Sequence, residues 1–302
     1  MQGYRIDRPL KPPSTRGMRR LGFVAALCCA AASACGRHAS PYVARIREAR
    51  GVLISVAAWG PDSARLDHAV AAALDSAAAA ETALASLGAR PGSQGVSPGL
   101  ARLVLRALEL ARASDGAFDP VAGRFRALTV DTARATVTLP RGVHVDLGEL
   151  GRGYALDRVL AALHGAADSA VISSGGQYLI HSDWSGARVV GIGDPNHTLA
   201  PQTRLLVPAG TWAVSTMSVA EAQDEVLDPR TGKPATRTRV VAAMAPDAAD
   251  AGGWSAAFYV MGCDSALALA PRVHMSVVCV DDDVRWSSDL DGRVKRDTMR
   301  EQ

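Results

Sequence analysis

The sequence predicts an α+β fold with largely antiparallel sheets and packed helices. Short segments with the period of strands are interspersed with segments of helical period, and the two kinds do not alternate strictly as in a parallel sheet. Hydrophobic residues make up 48% and charged residues 21% of the 302 residues, a balance that excludes a wholly disordered chain. Aromatic residues make up only 5%, so we expect a core built from Ala, Val and Leu.

The first 35 residues are predicted to be an export signal and not part of the fold. Arg16–Arg20 is basic, Leu21–Ala34 is apolar, and small residues stand just before Cys35, as in a secretory signal with its cleavage site. Cys35 resembles the lipid-modified cysteine of bacterial lipoproteins, which predicts an anchor on the periplasmic side of a membrane. The alternative is ordinary cleavage that leaves a free Cys35. Residues 36–302 are then the folded domain.

Charge and cysteine content exclude two classes of function. Lys and Arg number 33 against 30 Asp and Glu, and a net charge of +3 is too small for a nucleic-acid binder. After the signal only Cys263 and Cys279 remain, without the spacing of a structural zinc site. These two thiols either pair or stay free.

The elements follow in order from periodicity and end signals. Gly51–Trp59 is predicted as a strand, Asp62 or Ser63 as the cap of a first helix, and Gly88–Ser97 as a loop. Ser97 caps a second helix that carries the strongest helical periodicity in the chain, and later helices are expected from about Gly153 to His164 and around Trp254. The other predicted strands are Thr136–Leu139, Val143–Leu147, Ala170–Ser173, Tyr178–His181, Ala187–Ile192, Arg204–Pro208, Thr211–Ser215, Val240–Ala245 and a hairpin of Ser276–Val280 with Val284–Ser287.

Four segments rich in Gly and Asp are candidates for chemistry: residues 115–120, 146–154, 173–176 and 228–232. In the second, glycines allow a close approach to a ligand, and the N–H groups of the following helix suit phosphate oxygens. Arg152 is then a partner for an anion, and Asp146 an acceptor for a ribose or ring N–H group. The alternative for this segment alone is a tight turn with a solvated Arg152.

Taken together and in order, these segments resemble the ApbE family, the FAD:protein FMN transferases. The likeness extends from about Gly51 to Trp286. Its matching segments are Gly116–Val121, Asp146–Asp157, Gly175–Gln177, Ser215–Ser218, Glu225–Gly232 and Ala251–Gly262. The resemblance implies an ApbE-type, T-fold-like flavin transferase fold. It also implies FAD bound in a cleft with Mg²⁺ at its diphosphate, and transfer of FMN to a Thr or Ser hydroxyl of a partner protein with release of AMP.

The resemblance also implies roles for individual residues. Gly116, Ala117, Phe118, Asp119 and Asp146 would contact FAD. Arg152 would replace a lysine near the flavin nucleotide, with the same charge and a different shape. The main-chain carbonyl of Glu149 would be a Mg²⁺ ligand.

The sequence departs from the family at three positions of the implied reaction. Glu225 replaces a His, and an alignment without gaps puts Gly252 and Ala256 where the family has an Asp and a Thr that bind the metal. A two-residue shift, the weaker alignment, recruits Asp250 and Ser255 instead.

The candidate catalytic residues are therefore Asp250, Ser255 and Glu225, and the candidate metal ligands are Glu149, Asp250 and Ser255. Two hypotheses result. The first is a lipid-anchored FAD:protein FMN transferase. The second is a family member that has lost Mg²⁺-dependent chemistry and binds flavin or scaffolds a flavoprotein partner.

Overall fold

Five α-helices form in the part of the chain that the structure, a computed structural model, describes. The described residues are 41–49, 52–87, 91–183, 187–193, 201–218, 226–236 and 238–296. The predicted export signal, Cys35 and Glu225 lie outside them. The helices α1 to α5 are Ser63–Ser86, Pro98–Ala113, Gly148–Leu163, Ala248–Met261 and Cys263–Leu269.

The described ranges also contain sixteen strands, several of them only two or three residues long. In chain order, β1 to β16 are Tyr42–Ala49, Val52–Trp59, Gly92–Gly95, Thr129–Asp131, Thr136–Leu139, Ser169–Ser174, Gln177–Ser182, Arg188–Ile192, Thr203–Val207, Gly210–Ser218, Leu227–Asp228, Lys233–Pro234, Val240–Ala245, Ser276–Val280, Val284–Trp286 and Val294–Arg296.

The centre of the fold is an eight-stranded sheet with the order β1-β2-β6-β7-β10-β13-β14-β15. Each neighbouring pair in it is antiparallel. Smaller sheets have the orders β16-β9-β8, β3-β5-β4 and β11-β12. The α+β prediction with largely antiparallel sheets is therefore confirmed.

The central sheet is covered on both faces at β13. Val241, Ala243 and Ala245 belong to the core that contains the helices, whereas Val240, Ala242 and Met244 belong to a second core with β8, β9 and β16. Successive residues of a strand point to opposite faces, so β13 is buried from both sides. An unbroken apolar run such as Val240–Ala245 is typical of this position.

The first two helices begin where their capping residues predict. The Asp62 carboxylate accepts the N–H groups of Ala64 and Arg65, and the Ser97 hydroxyl accepts that of Leu100. The predicted apolar stripe of α2 is buried throughout. No helix in the described part is both long enough and apolar enough to cross a bilayer.

Three sequence predictions differ from the structure. Val143–Leu147 is not a strand, although Val145 and Leu147 are buried. The predicted loop at Gly88–Ser97 contains β3, which pairs with β5. Helix α3 starts at Gly148 rather than about Gly153, because contacts with α4 outweigh the low helix propensity of its glycines. Of the two alternatives for Cys263 and Cys279, the structure has both thiols free and buried.

Candidate functional site

Helix α3 begins at a bend that Asp146 stabilises. Gly148 has a φ of +46°, and its N–H donates to the Asp146 carboxylate over 2.8 Å. The main-chain N–H of Asp146 donates to the carbonyl of Pro120 over 2.8 Å, which joins this bend to the Gly116–Asp119 loop. N–H groups in the first turn of a helix have no partner within the helix and suit an anionic ligand. The bend therefore places two predicted segments at the open end of α3.

Asp119 determines the shape of the Gly116–Asp119 loop. Its two carboxylate oxygens accept the N–H groups of Val121 and Phe125 over 2.7 and 3.2 Å. Gly116 has a φ of +75°, a conformation that favours glycine, while Ala117 and Phe118 are buried in the helix-side core. Because both Asp119 oxygens are used within the loop, the loop is positioned before any ligand arrives.

The turn at residues 228–232 packs on the same loop. The Asp228 carboxylate accepts two hydrogen bonds of 2.8 Å from the Arg230 guanidinium, and it raises the pKa of Arg230 above its usual value. The stem of Arg230 lies against Gly116, where an added Cβ would be 3.5 Å from its Cγ. The first and last of the four Gly- and Asp-rich segments are thus neighbours, although Gly116 and Arg230 are 114 positions apart in sequence.

Glu149, Arg152 and Gln177 form a hydrogen-bonded group that we call the Glu149 cluster. The Arg152 guanidinium lies 2.9 Å from the Glu149 carboxylate. The side-chain amide nitrogen of Gln177 donates to the main-chain carbonyl of Glu149 over 2.8 Å and to its carboxylate over 2.6 Å. Arg152 also lies against Gly175. The cluster therefore joins α3 to the turn between β6 and β7.

Helix α4 meets α3 directly beside this cluster, through glycines. A Cβ added at Gly252 would lie 2.2 Å from the Glu149 carbonyl oxygen and 2.8 Å from the Gln177 amide nitrogen. A Cβ at Gly153 would lie 2.0 Å from the carbonyl oxygen of Ala248. Since real Cβ atoms do not approach so closely, the two helices can pack at this distance only without side chains there.

The structure separates Asp250 from the Glu149 carbonyl. Residues two apart on an α-helix point about 200° apart, so Asp250 faces away from the side on which Gly252 meets Glu149. Both Asp250 carboxylate oxygens accept hydrogen bonds from Arg106 of α2. The shifted alignment, which needs Asp250 as a metal ligand beside Glu149, therefore disagrees with the packing.

Ser255 lies near Gly252 but is fully buried. Its hydroxyl donates to the carbonyl of Gly252 over 2.8 Å and lies 2.9 Å from the hydroxyl of Ser215 in β10. These bonds account for its proton and link α4 to β10. Ser255 thus holds two of the predicted segments together. The role of Glu225 stays a prediction, because that residue lies outside the described part.

Asp157, at the end of the predicted segment 146–157, has an unusual carboxyl group. It accepts the main-chain N–H groups of Ala248 and Ala249 over 2.8 and 3.0 Å, at the start of α4. Burial raises its pKa to about 7, against the effect of these hydrogen bonds. Asp157 therefore stabilises the contact between α3 and α4, and its charge varies near neutral pH.

Two cavities adjoin α3. One, of about 370 Å³, lies at the start of the helix, where Asp146, Gly148 and Arg152 line it together with Glu81 and Leu84 of α1. A larger cavity of about 940 Å³ lies between α2 and α3 and includes Asp157 in its lining. The smaller cavity is the candidate site, because the predicted ligand-binding residues Asp146 and Arg152 line it, whereas no predicted site residue lines the larger one.

The residues present do not fit the Mg²⁺ ion that the resemblance implies. Mg²⁺ requires oxygen ligands. Gly252 and Ala256 supply no side-chain oxygen, and the Glu149 carbonyl faces a nitrogen donor, the amide of Gln177. In the described part, no group of three or more His, Cys, Asp or Glu residues is arranged for a metal. Sequence reasoning noted Gln177 only as the end of the Gly175–Gln177 turn and attached no role to its side chain.

The model of the ApbE family matches residues 63–279. The chain belongs to the ApbE family. Among the curated proteins, none matches the sequence.

Solved structures of ApbE proteins share the fold of this family member. An ApbE protein from Thermotoga maritima is similar with a TM-score of 0.72 and 21% identity over 83% of this chain and 99% of that chain. The flavin transferase ApbE from Vibrio cholerae has a TM-score of 0.69 and 17% identity over 84% and 99%. The apo form of the Pseudomonas stutzeri flavinyl transferase ApbE has a TM-score of 0.66 and 18% identity over 84% and 97%.

Proposed function

We propose that this ApbE-family protein binds FAD at the start of α3 and transfers its FMN half to a Thr or Ser hydroxyl of an acceptor protein, with release of AMP. The observation that carries the proposal is the convergence of the predicted segments on one helix end. The carbonyl of Pro120, next to the Gly116–Asp119 loop, accepts the N–H of Asp146, the 228–232 turn packs on that loop, and Gln177 donates to Glu149. Family membership supports the same reaction class.

The residues around α3 match the chemistry of FAD. The first-turn N–H groups and the Arg152 guanidinium, whose side chain is 31% exposed, suit the diphosphate. The main chain of the Gly116–Asp119 loop is held in place beside the helix end by Asp119. A rigid loop loses little entropy when a ligand binds, which favours affinity.

In the proposed transfer, the acceptor hydroxyl oxygen bonds to the phosphorus of the FMN half. The bond from that phosphorus to the oxygen of the AMP phosphate breaks, AMP leaves with the bonding electrons, and the hydroxyl proton passes to a base. Positioning supplies much of the rate in such phosphoryl transfers. Glu225 is our candidate for the base.

A second candidate function is flavin binding without transfer, which a specific observation favours. Two positions that bind the metal in the family are Gly252 and Ala256 here, and Gly252 lies so close to Glu149 that no side chain fits. A protein of this kind would hold FAD or scaffold a flavoprotein partner.

Incubation of the purified protein with FAD and a Thr-containing acceptor, followed by mass spectrometry of the acceptor, separates the two functions. Covalent FMN on the acceptor supports transfer. FAD binding without covalent FMN supports flavin binding without transfer, and a protein that does not bind FAD contradicts both transfer and flavin binding. Arg152→Ala is the matched variant, and we expect it to weaken FAD binding because the guanidinium is lost.

We also propose that the protein is exported and anchored through a lipid on Cys35. The basic and apolar segments before this residue support the proposal. The mass of the mature N-terminal peptide tests it: a peptide that begins at Cys35 and carries a diacylglycerol and an N-acyl chain is expected, whereas an unmodified peptide would contradict the anchor.

A further inference from the structure

We infer that the side-chain amide of Gln177 takes the place of a divalent cation at the Glu149 carbonyl, so that this protein binds FAD without a divalent ion. The part that concerns FAD rests on the proposed function. The part that concerns the cation rests on the Glu149 cluster alone.

The position of the amide is the first argument. Its nitrogen lies 2.8 Å from the Glu149 carbonyl oxygen and would lie 2.8 Å from a Cβ at Gly252. It therefore lies beside both the main-chain oxygen expected to bind a cation and the point where a side chain of residue 252 would begin. Gln177 is 1% exposed, so its amide is buried in the protein interior and does not belong to the surface.

The orientation of the amide is the second argument. Its nitrogen donates to two oxygens of Glu149, and its own oxygen is buried without a hydrogen-bond partner. In the turned orientation the amide oxygen would face both Glu149 oxygens, and three acceptors would meet without a proton. The two donations to Glu149 therefore account for this orientation of the amide, although its oxygen is left without a partner.

The local charge is the third argument. The Glu149 carboxylate is 16% exposed and already paired with Arg152. A divalent ion at the carbonyl would lie beside the guanidinium, and like charges close together in a partly buried site repel strongly. The ion would therefore have to displace both the amide and the guanidinium.

The packing of α3 against α4 also opposes a metal ligand at position 252. Any side chain at Gly252 would overlap the carbonyl oxygen of Glu149, whose distance from the added Cβ is 2.2 Å. The contact between α3 and α4 thus leaves no room for a ligand side chain at position 252. The groups that contact the two Glu149 oxygens are the positive guanidinium of Arg152 and the neutral donor amide of Gln177, both supplied by this chain.

The test compares the wild-type protein with two isosteric variants, Gln177→Glu and Gln94→Glu. Glutamate at 177 replaces the donor nitrogen with an oxygen and so makes an oxygen cluster with Glu149. Gln94 lies in β3 of a separate sheet and is the control. Bound Mn²⁺ is measured by electron paramagnetic resonance, thermal stability is measured with EDTA and with Mg²⁺, and FAD affinity is measured in both buffers.

For the wild type we expect no stoichiometric Mn²⁺ and an FAD dissociation constant that agrees within about twofold in EDTA and Mg²⁺. For Gln177→Glu we expect Mn²⁺ binding and a Tm that rises by about 5 °C when Mg²⁺ replaces EDTA. Gln94→Glu is expected to show neither effect.

One Mn²⁺ per wild-type chain, or FAD binding that needs Mg²⁺, would overturn the inference, because the amide oxygen would then turn toward a cation. A Gln177→Glu protein that folds and responds to Mg²⁺ no more than Gln94→Glu would also overturn it. If Gln177→Glu does not fold, the two wild-type measurements decide. A wild type that binds FAD in neither buffer contradicts the proposed function, while its Mn²⁺ spectrum still tests the cation.

Discussion

Replacement of Gly252 by Ala tests the close contact between α3 and α4. The added Cβ would lie 2.2 Å from the carbonyl oxygen and 2.7 Å from the carbonyl carbon of Glu149. Both are main-chain atoms, so no side-chain rotation relieves the overlap. To reach a separation of 3.0 Å the carbonyl must move by about 0.8 Å, and α3 must move with it because protein interiors are close-packed.

The expected loss of stability follows from two opposing effects. Overpacking of this kind costs about 3 kcal/mol, the upper end of the usual range, because the obstacle is backbone. Replacement of Gly by Ala within a helix returns about 1 kcal/mol. We therefore expect Gly252→Ala to lower the free energy of unfolding by about 2 kcal/mol, which lowers Tm by roughly 4–8 °C for a domain of this size.

Gly253→Ala is the matched control, one residue further along the same helix. Its added Cβ would meet the end of the Leu110 side chain at 2.6 Å and that of Leu150 at 2.9 Å, and such groups can move. We expect a net change near zero. Urea unfolding of both variants measures the difference. Equal losses in the two variants, or a Gly252→Ala protein as stable as the wild type, would refute this account of the helix contact.

Three further predictions concern carboxylates. Because the pKa of Asp157 is raised from 3.8 to about 7 in the folded protein, the unfolding free energy should fall by about 4 kcal/mol as the pH rises from about 4 to about 7. The same titration with Asp157→Asn should lack this part of the slope, and an unchanged slope would contradict the assignment. Asp250→Ala should leave FAD affinity unchanged and reduce stability by about 1 kcal/mol, the value of a partly exposed ion pair with Arg106; calorimetry that shows lost FAD binding would restore Asp250 to the site. Asp119→Ala should weaken FAD binding, since two loop N–H groups lose their acceptor; unaltered affinity would show that the loop does not contact FAD.

The sequence alone predicted the elements whose start and burial depend on residues close together in the chain. The caps at Asp62 and Ser97 and the buried stripe of α2 depend on residues within a few positions of one another. The predicted start of α3 was wrong by about five residues, because glycines lower helix propensity. Only the contact with α4 explains why these glycines are helical here. The strand predicted at Val143–Leu147 was also wrong. Its alternating apolar residues are buried, but they lie in a loop and not in a sheet.

The same distinction applies to the site: contacts between residues far apart in the sequence could not be predicted. The order of the Gly- and Asp-rich segments identified the family, which the family model confirms. The bond from Gln177 to Glu149 joins residues 28 positions apart, and neither residue type predicts the other. Gly252 was noticed as a missing ligand, but its closeness to the Glu149 carbonyl depends on how two helices pack. Such contacts arise from tertiary structure and carry no signal in a single sequence.

Hydrogen–deuterium exchange with and without FAD is the most direct measurement of where this protein holds a ligand. The account predicts slower exchange in three separate stretches, residues 116–121, 146–153 and 175–177, when FAD is added. Protection confined to the residues between α2 and α3 that line the larger cavity, or no protection while FAD is bound, would contradict it.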